Sequence, residues 1–146
     1  MAKFTYKGFR QDLVDGNVVS GADVRVLAVM NGSSAGTDED AVNIDDITSL
    51  NEFDGSNYAR LDLANVAVVS DDTNDRHEVT ADDGSFGATV GAGSDEIIGF
   101  VYYRWVDGTA ANDILWAFND DGCPVDPNGG ALDLTLPADG IVQIQS

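Results

Sequence analysis

Apolar positions along the chain come in short runs of strand length, rich in Val, Ile and aromatic residues, with Gly, Asp or Asn interrupting them about every ten residues. Val24-Arg25-Val26-Leu27-Ala28-Val29-Met30 is the first clear strand, closed by Asn31-Gly32-Ser33-Ser34. Tyr58 to Val69 alternates, with Leu61, Leu63, Val66 and Val68 interleaved among smaller or polar residues, and Asp71-Asp72-Thr73-Asn74-Asp75 ends it with a turn. Arg76 to Ala81 and Ser85 to Val90 read as two strands around Asp82-Asp83-Gly84. Ile97 to Val106 is apolar on both alternation faces, which predicts a central strand covered on both sides. Ile114 to Phe118, Leu132 to Leu136 and Ile141 to Ile144 complete the set. Helical periodicity is nearly absent, and no amphipathic helix of three turns can be drawn. From Ala35 to Asn57 the pattern lapses into a long polar stretch, with at most one helical turn near Asn43 or Asp45, and a loop of that length predicts a functional contact or a mobile surface.

These runs predict an all-β, single-domain β-sandwich, jelly-roll-like, with about eight strands. At 146 residues and 43% hydrophobic content, one real core is attainable. Charge changes the picture most. Seven basic residues face 26 acidic ones, and 22 of the acids are Asp, the residue of turns and caps rather than of helix surfaces. The first eleven residues hold Lys3, Lys7 and Arg10 and no acid, so the chain's −19 is +3 on residues 1–11 and −22 on the remainder. The chain thus divides into a basic N-terminal arm, 1–11, and an acidic β-sandwich domain, 12–146. Such a balance excludes direct phosphate reading of nucleic acid and attraction to anionic membranes, and no apolar run reaches the length of a membrane span. The N-terminus lacks the apolar block of a signal peptide, so a soluble, non-exported chain is expected.

Candidate chemistry is thin. The only histidine is His77, in a strand segment without a Gly-x-Ser-x-Gly elbow elsewhere, and one His with the single Cys123 does not make a zinc set. Calcium is the better metal hypothesis, with Asp71, Asp72 and Asp75 as weak candidates, although turn-forming Asp explains such clusters without metal. Gly87 to Ser94 lacks the consecutive Lys-Ser/Thr pair of a phosphate loop and is not followed by a helical pattern. Trp105, Trp116, Tyr102 and Tyr103 suggest either core or a sugar-stacking platform. The expectation is a non-enzyme without a cofactor.

Several elements in order carry a likeness. They are Tyr6-Lys7-Gly8 with Leu13 and Gly16, the strand Val24 to Val29, a Thr/Asp-rich loop, and Gly55-Ser56-Asn57-Tyr58-Ala59-Arg60 leading into Leu61 and Leu63. Val79-Thr80-Ala81-Asp82-Asp83, Gly99-Phe100-Val101-Tyr102-Tyr103, Asn112 to Phe118 and Asn128-Gly129-Gly130 follow. Together they resemble a family of small tailed-phage virion structural proteins of the capsid decoration, or cement, kind. The Asp-rich insertions and Cys123-Pro124-Val125-Asp126-Pro127 depart from it. The resemblance implies a bacteriophage protein made in the host cytoplasm and placed on the outer surface of the capsid, stapling capsomers. Its partners would be the major capsid protein and copies of itself, as a homotrimer. A tail or tail-tip component and a carbohydrate-binding β-sandwich module are the alternatives. Contact is expected through the N-terminal arm, where Lys3, Lys7 and Arg10 interleave with Phe4, Tyr6 and Phe9 as an extended strand suited to a partner's sheet edge.

The charge density has a direct consequence. Like charges repel within a compact body and added salt screens them, so the melting temperature of the isolated protein rises with NaCl from low ionic strength. A flat response in thermal melts contradicts this.

Overall fold

Two strands whose side chains are buried on both faces organise the molecule: β2 (Val24–Met30) and β7 (Ile97–Arg104). They pair antiparallel from Val24 opposite Arg104 to Met30 opposite Ile97. In this computed structural model, which describes residues 3–145, the remaining elements in chain order are β1 (Phe4–Thr5), α1 (Lys7–Asp15), a 3-10 turn (Ile44–Asp46), β3 (Leu61–Asp62), β4 (Ala67–Asp71), β5 (Arg76–Thr80), β6 (Gly84–Val90), β8 (Ile114–Asn119), β9 (Gly130–Leu134) and β10 (Val142–Gln145). The fold is all-β and sandwich-like, with every pairing antiparallel. Ten strands replace the expected eight because β1 is added and the 58–69 run breaks into β3 and β4. They divide into sheets of order β1-β8-β7-β2-β3, β10-β5-β4 and β6-β9.

Alternation along β2 and β7 sends side chains to two cores. On one face Val24, Val26, Ala28, Met30, Phe100, Tyr102 and Trp116 pack against Val79, Phe86, Val90, Leu132, Leu134, Ile141 and Val142 of the smaller sheets. On the other, Leu27, Val29, Val101, Tyr103, Leu115 and Phe118 are covered by Tyr6, Ala35, Ala41, Ile44 and Ile47. The predicted central strand therefore lies where expected, covered on both sides.

Residues 35–57, expected to be a functional contact or a mobile surface, supply this second cover. Ala35, Ala41, Ile44 and Ile47 spend scattered apolar residues on the sheet, and backbone bonds hold the segment down: Ile44 N to Asp113 O at 3.2 Å, Asp45 N to Ala110 O at 2.9 Å, and Leu115 N to Val42 O at 2.9 Å. Asp38 accepts from Ser34 Oγ and Thr48 N, and Asp46 accepts from the N–H groups of Val42 and Asn43, so acidic residues close the segment's own turns. Those backbone bonds, with a smaller push from Lys7, hold the Asp46 carboxyl below the usual carboxylate range.

The aromatics read as a possible sugar platform are mostly core. Trp116, Tyr102 and Tyr103 are buried, and the half-buried Trp105 lies under the Arg25 guanidinium, 4.6 Å from its ring centroid. Truncating Trp116 to Ala removes a wholly buried indole and is expected to destabilise the protein by roughly 3–5 kcal/mol. Denaturant melts measure this, and a loss under about 1 kcal/mol contradicts the packing described.

Candidate functional site

Seven cations serve 26 acids, so the placement of each cation decides what the surface offers. Five are taken by contact ion pairs: Lys3 with Asp120 at 3.4 Å, Arg25 with Asp23 at 3.0 Å, Arg60 with Glu52 at 2.9 Å, Arg76 with Asp71 and Glu78, and Arg104 with Asp12 at 2.7 Å. Lys7 and Arg10, both exposed on α1, form no contact ion pair among the described residues; Arg10 donates only to the Thr5 carbonyl. With Gln11 and Val14 they occupy positions i, i+3, i+4 and i+7, which is one helical stripe. Val14 is 83% exposed, the extreme among the large apolar side chains, and Leu13 beside it is 41% exposed. The stripe is therefore basic at its N-terminal end and ends on the apolar Val14, beside the exposed Asp15 to which Gln11 donates at 3.1 Å.

What presents this stripe is the opposite face of α1. Its buried residues are Gly8, Phe9 and Asp12. Gly8 lets the helix meet the sheet at backbone distance, since a Cβ there would run into the carbonyl oxygens of Val42 and Leu115. Phe9 packs edge-on against Trp116 at 5.4 Å. Asp12, 2% exposed, accepts from Arg104 Nε at 2.7 Å and NH2 at 2.9 Å, from Trp116 Nε1 at 2.8 Å and from Asn17 Nδ2 at 3.1 Å. Burial opposes the charge on Asp12, but these donors outweigh it and hold its carboxyl below the usual carboxylate range. Gly16, at φ +79°, ends the helix in the left-handed conformation, and Asn17 N returns to Asp12 O at 2.9 Å.

The expected extended arm is thus a correction. Phe4 and Thr5 pair with Phe118 and Ala117 on the edge of the chain's own β8, and a helix follows at once. Phe4 stacks on Phe118 at 5.7 Å, Lys3 lies over the same ring, and the buried Tyr6 donates its hydroxyl to Ala35 O at 2.7 Å. Tyr6 and Phe9 fill pockets of their own domain, which leaves neither free to enter a partner's. Residues 3–11 pack against the sandwich; Met1 and Ala2 of the 1–11 division, and Ser146 of the 12–146 division, lie outside the described residues. Of the predicted contact residues, Lys3, Lys7 and Arg10 are exposed, and only the last two remain without a contact ion pair. Gln11 and Val14 belong to the same surface, with Leu13 beside them, and were legible as the 7, 10, 11, 14 spacing had a helix been expected there.

The calcium candidates are occupied otherwise. Asp71 pairs with Arg76 and accepts from Asn74, Asp72 accepts from Ser70 Oγ at 2.6 Å, and Asp75 sits in the turn with φ +53°. No cluster of three or more His, Cys, Asp or Glu side chains suited to a metal occurs among the described residues. His77 is exposed on β5, opposite Ser70 and Ile144. Burial, with the nearby Asp120 and Asp121, pushes the Cys123 thiol up to about 11, which keeps it protonated and weakly nucleophilic at neutral pH.

Searches against protein-family models, curated proteins and solved structures found no match to this chain.

Asp12 gives the site a pH signature. Because its folded pKa is depressed, the stabilisation it provides is whole above the unfolded value of about 3.9 and is lost as pH falls through the folded value. Asp12→Asn is expected to cost about 2–3 kcal/mol at pH 7, with the gap from wild type narrowing below about pH 4. A gap that stays constant into acid shows that the carboxylate charge is not what anchors α1.

Proposed function

We propose that the protein is a structural component of a tailed virus particle, a capsid decoration protein that sits on the outer head shell and staples neighbouring capsomers. The class comes from the resemblance described in the sequence. The observation that carries the reading is the solvent face of α1, where Lys7 and Arg10 stand beside Val14 and Leu13 on a body of net charge −19. Such a body is repelled by any acidic surface, copies of itself included, so close contact is least opposed where the sign of the surface reverses. Exposed apolar area next to those cations supplies what a charge alone does not, a dry patch that resists dissociation. The docking element is then a folded helix rather than an extended arm.

The test separates contact from folding. Lys7→Glu together with Arg10→Glu changes two exposed side chains and leaves Gly8, Phe9 and Asp12 in place. The double variant is expected to melt within a few degrees of wild type and to lose at least about tenfold in affinity for capsids assembled without the protein. Full occupancy by the variant, measured by co-sedimentation, overturns this docking face. Wild-type protein that binds tails and leaves heads bare favours the tail reading instead.

A further inference from the structure

A second surface is built differently. The β6-β9 pair has only two strands, and its two outer edges are not alike. Beyond β6 the chain covers itself: Ala59 N donates to Phe86 O, Asn57 Nδ2 to Thr89 O at 3.0 Å, and Gly91 N to Ser56 O at 2.9 Å. Beyond β9 no strand follows, and among the described residues Ala131 to Leu134 make no backbone hydrogen bond to anything but β6. The outer edge of β4, by contrast, is met by Ser20 Oγ on Val68 N and by Gly21 N on Val66 O.

Along this free edge runs an open groove of about 520 Å³, lined on the strand side by Ala131 to Thr135 and on the other by Phe100, Asp121, Gly122 and Val125. The far wall is firm, because Val125 and Ile97 exchange backbone bonds of 2.8 and 2.9 Å and Phe100 stacks on Phe86 at 5.6 Å. Leu132 and Leu134 turn into the core while Ala131, Asp133 and Thr135 face out, so β9 keeps its alternation while the irregularities of the pair, at Ser85/Gly87 and Gly87/Val90, fall on β6. The five residues of β9 span roughly 16 Å. The usual guards of an open edge, a Lys or a Pro, are missing from Gly130 to Leu134, and its one charge is Asp133. Among the described residues no cation lines the groove, and Asp133 is the acid on its strand side.

We infer that the free edge of β9 takes up an extended segment of a partner protein, about five residues long, in which Lys or Arg alternates with apolar side chains. Backbone pairing to β9 holds the segment, its apolar side chains lie against the half-buried Val125, and its cations meet the exposed Asp133. This inference stands apart from the assembly role proposed above, since it concerns a different face and is tested on the isolated protein.

The experiment is an NMR titration of the folded chain with a short peptide of alternating Val and Lys. Two control peptides accompany it: one with Glu in place of Lys, and one whose amides along a single edge are N-methylated, which keeps the charge and removes the donors. The Val/Lys peptide is expected to shift amides of residues 121–125 and 130–135, and N-methylation or Asp133→Lys to weaken it at least about tenfold. The Glu peptide is expected not to bind. Equal affinity for the N-methylated peptide reduces the interaction to net charge and overturns the proposal, as do shifts centred elsewhere or no binding of the Val/Lys peptide.

Discussion

One buried carboxylate seats the N-terminal helix on the sheet. Helices of nine residues fall short of the length that is stable alone in water, so α1 exists because the sheet holds it. Asp12 does the holding by collecting donors from three places: the Arg104 guanidinium at the end of β7, the Trp116 indole in the middle of β8 and the Asn17 amide just past the helix. Removing a carboxylate from water is costly, and it is tolerated when every partner is supplied, as it is here. Asp12 anchors the middle of α1, while backbone bonds from Tyr6 N to Trp116 O and Gly8 N to Ala41 O hold its start and Tyr6 Oη reaches Ala35 O in the segment that covers the second face of the sheet. The exposed stripe of Lys7, Arg10, Gln11 and Val14 is thus a product of the buried one.

The same economy explains why the acid is aspartate. Asp113 is buried and its Oδ1 accepts from the N–H groups of Val106, Asp107 and Gly108, closing the turn between β7 and β8, while its Oδ2 makes no hydrogen bond. Asp107 accepts from Thr109 and Asn112 in the same turn, Asp54 holds Ser94, and Asp71 holds Asn74. A short carboxylate reaches nearby backbone N–H groups where Glu overshoots them. Many of the 22 aspartates are therefore turn formers first and surface charge second.

Strands were legible because their period is written in apolar residues. Val24–Met30 coincides with β2, and the expected central strand from Ile97 ends two residues early, at Arg104. The helix was hidden for a physical reason: its buried stripe is Gly8, Phe9 and Asp12, a close approach and an ion pair in place of two apolar residues, while Leu13 and Val14 point to solvent. Tyr6 at its start offers no side-chain cap, so only Gly16 marked an end. The cover over residues 35–57 was hidden likewise, because Ala35, Ala41, Ile44 and Ile47 follow neither strand nor helix period yet meet one surface. The basic composition of the N-terminal segment was plain in the sequence; that Lys3 is spent on Asp120 and that Lys7 and Arg10 are left over depended on the fold.

If α1 is the docking face, its orientation on the particle decides the matter. Cryo-electron microscopy of decorated capsids, at a resolution that separates the helix from the sheet, is predicted to place the Lys7–Arg10–Val14 side of α1 against the shell or a neighbouring subunit, next to acidic side chains, with the helix still seated on β8. A map in which that side of α1 faces open solvent, or in which residues 3–15 have left the sheet to run as an extended strand across the boundary, contradicts the account.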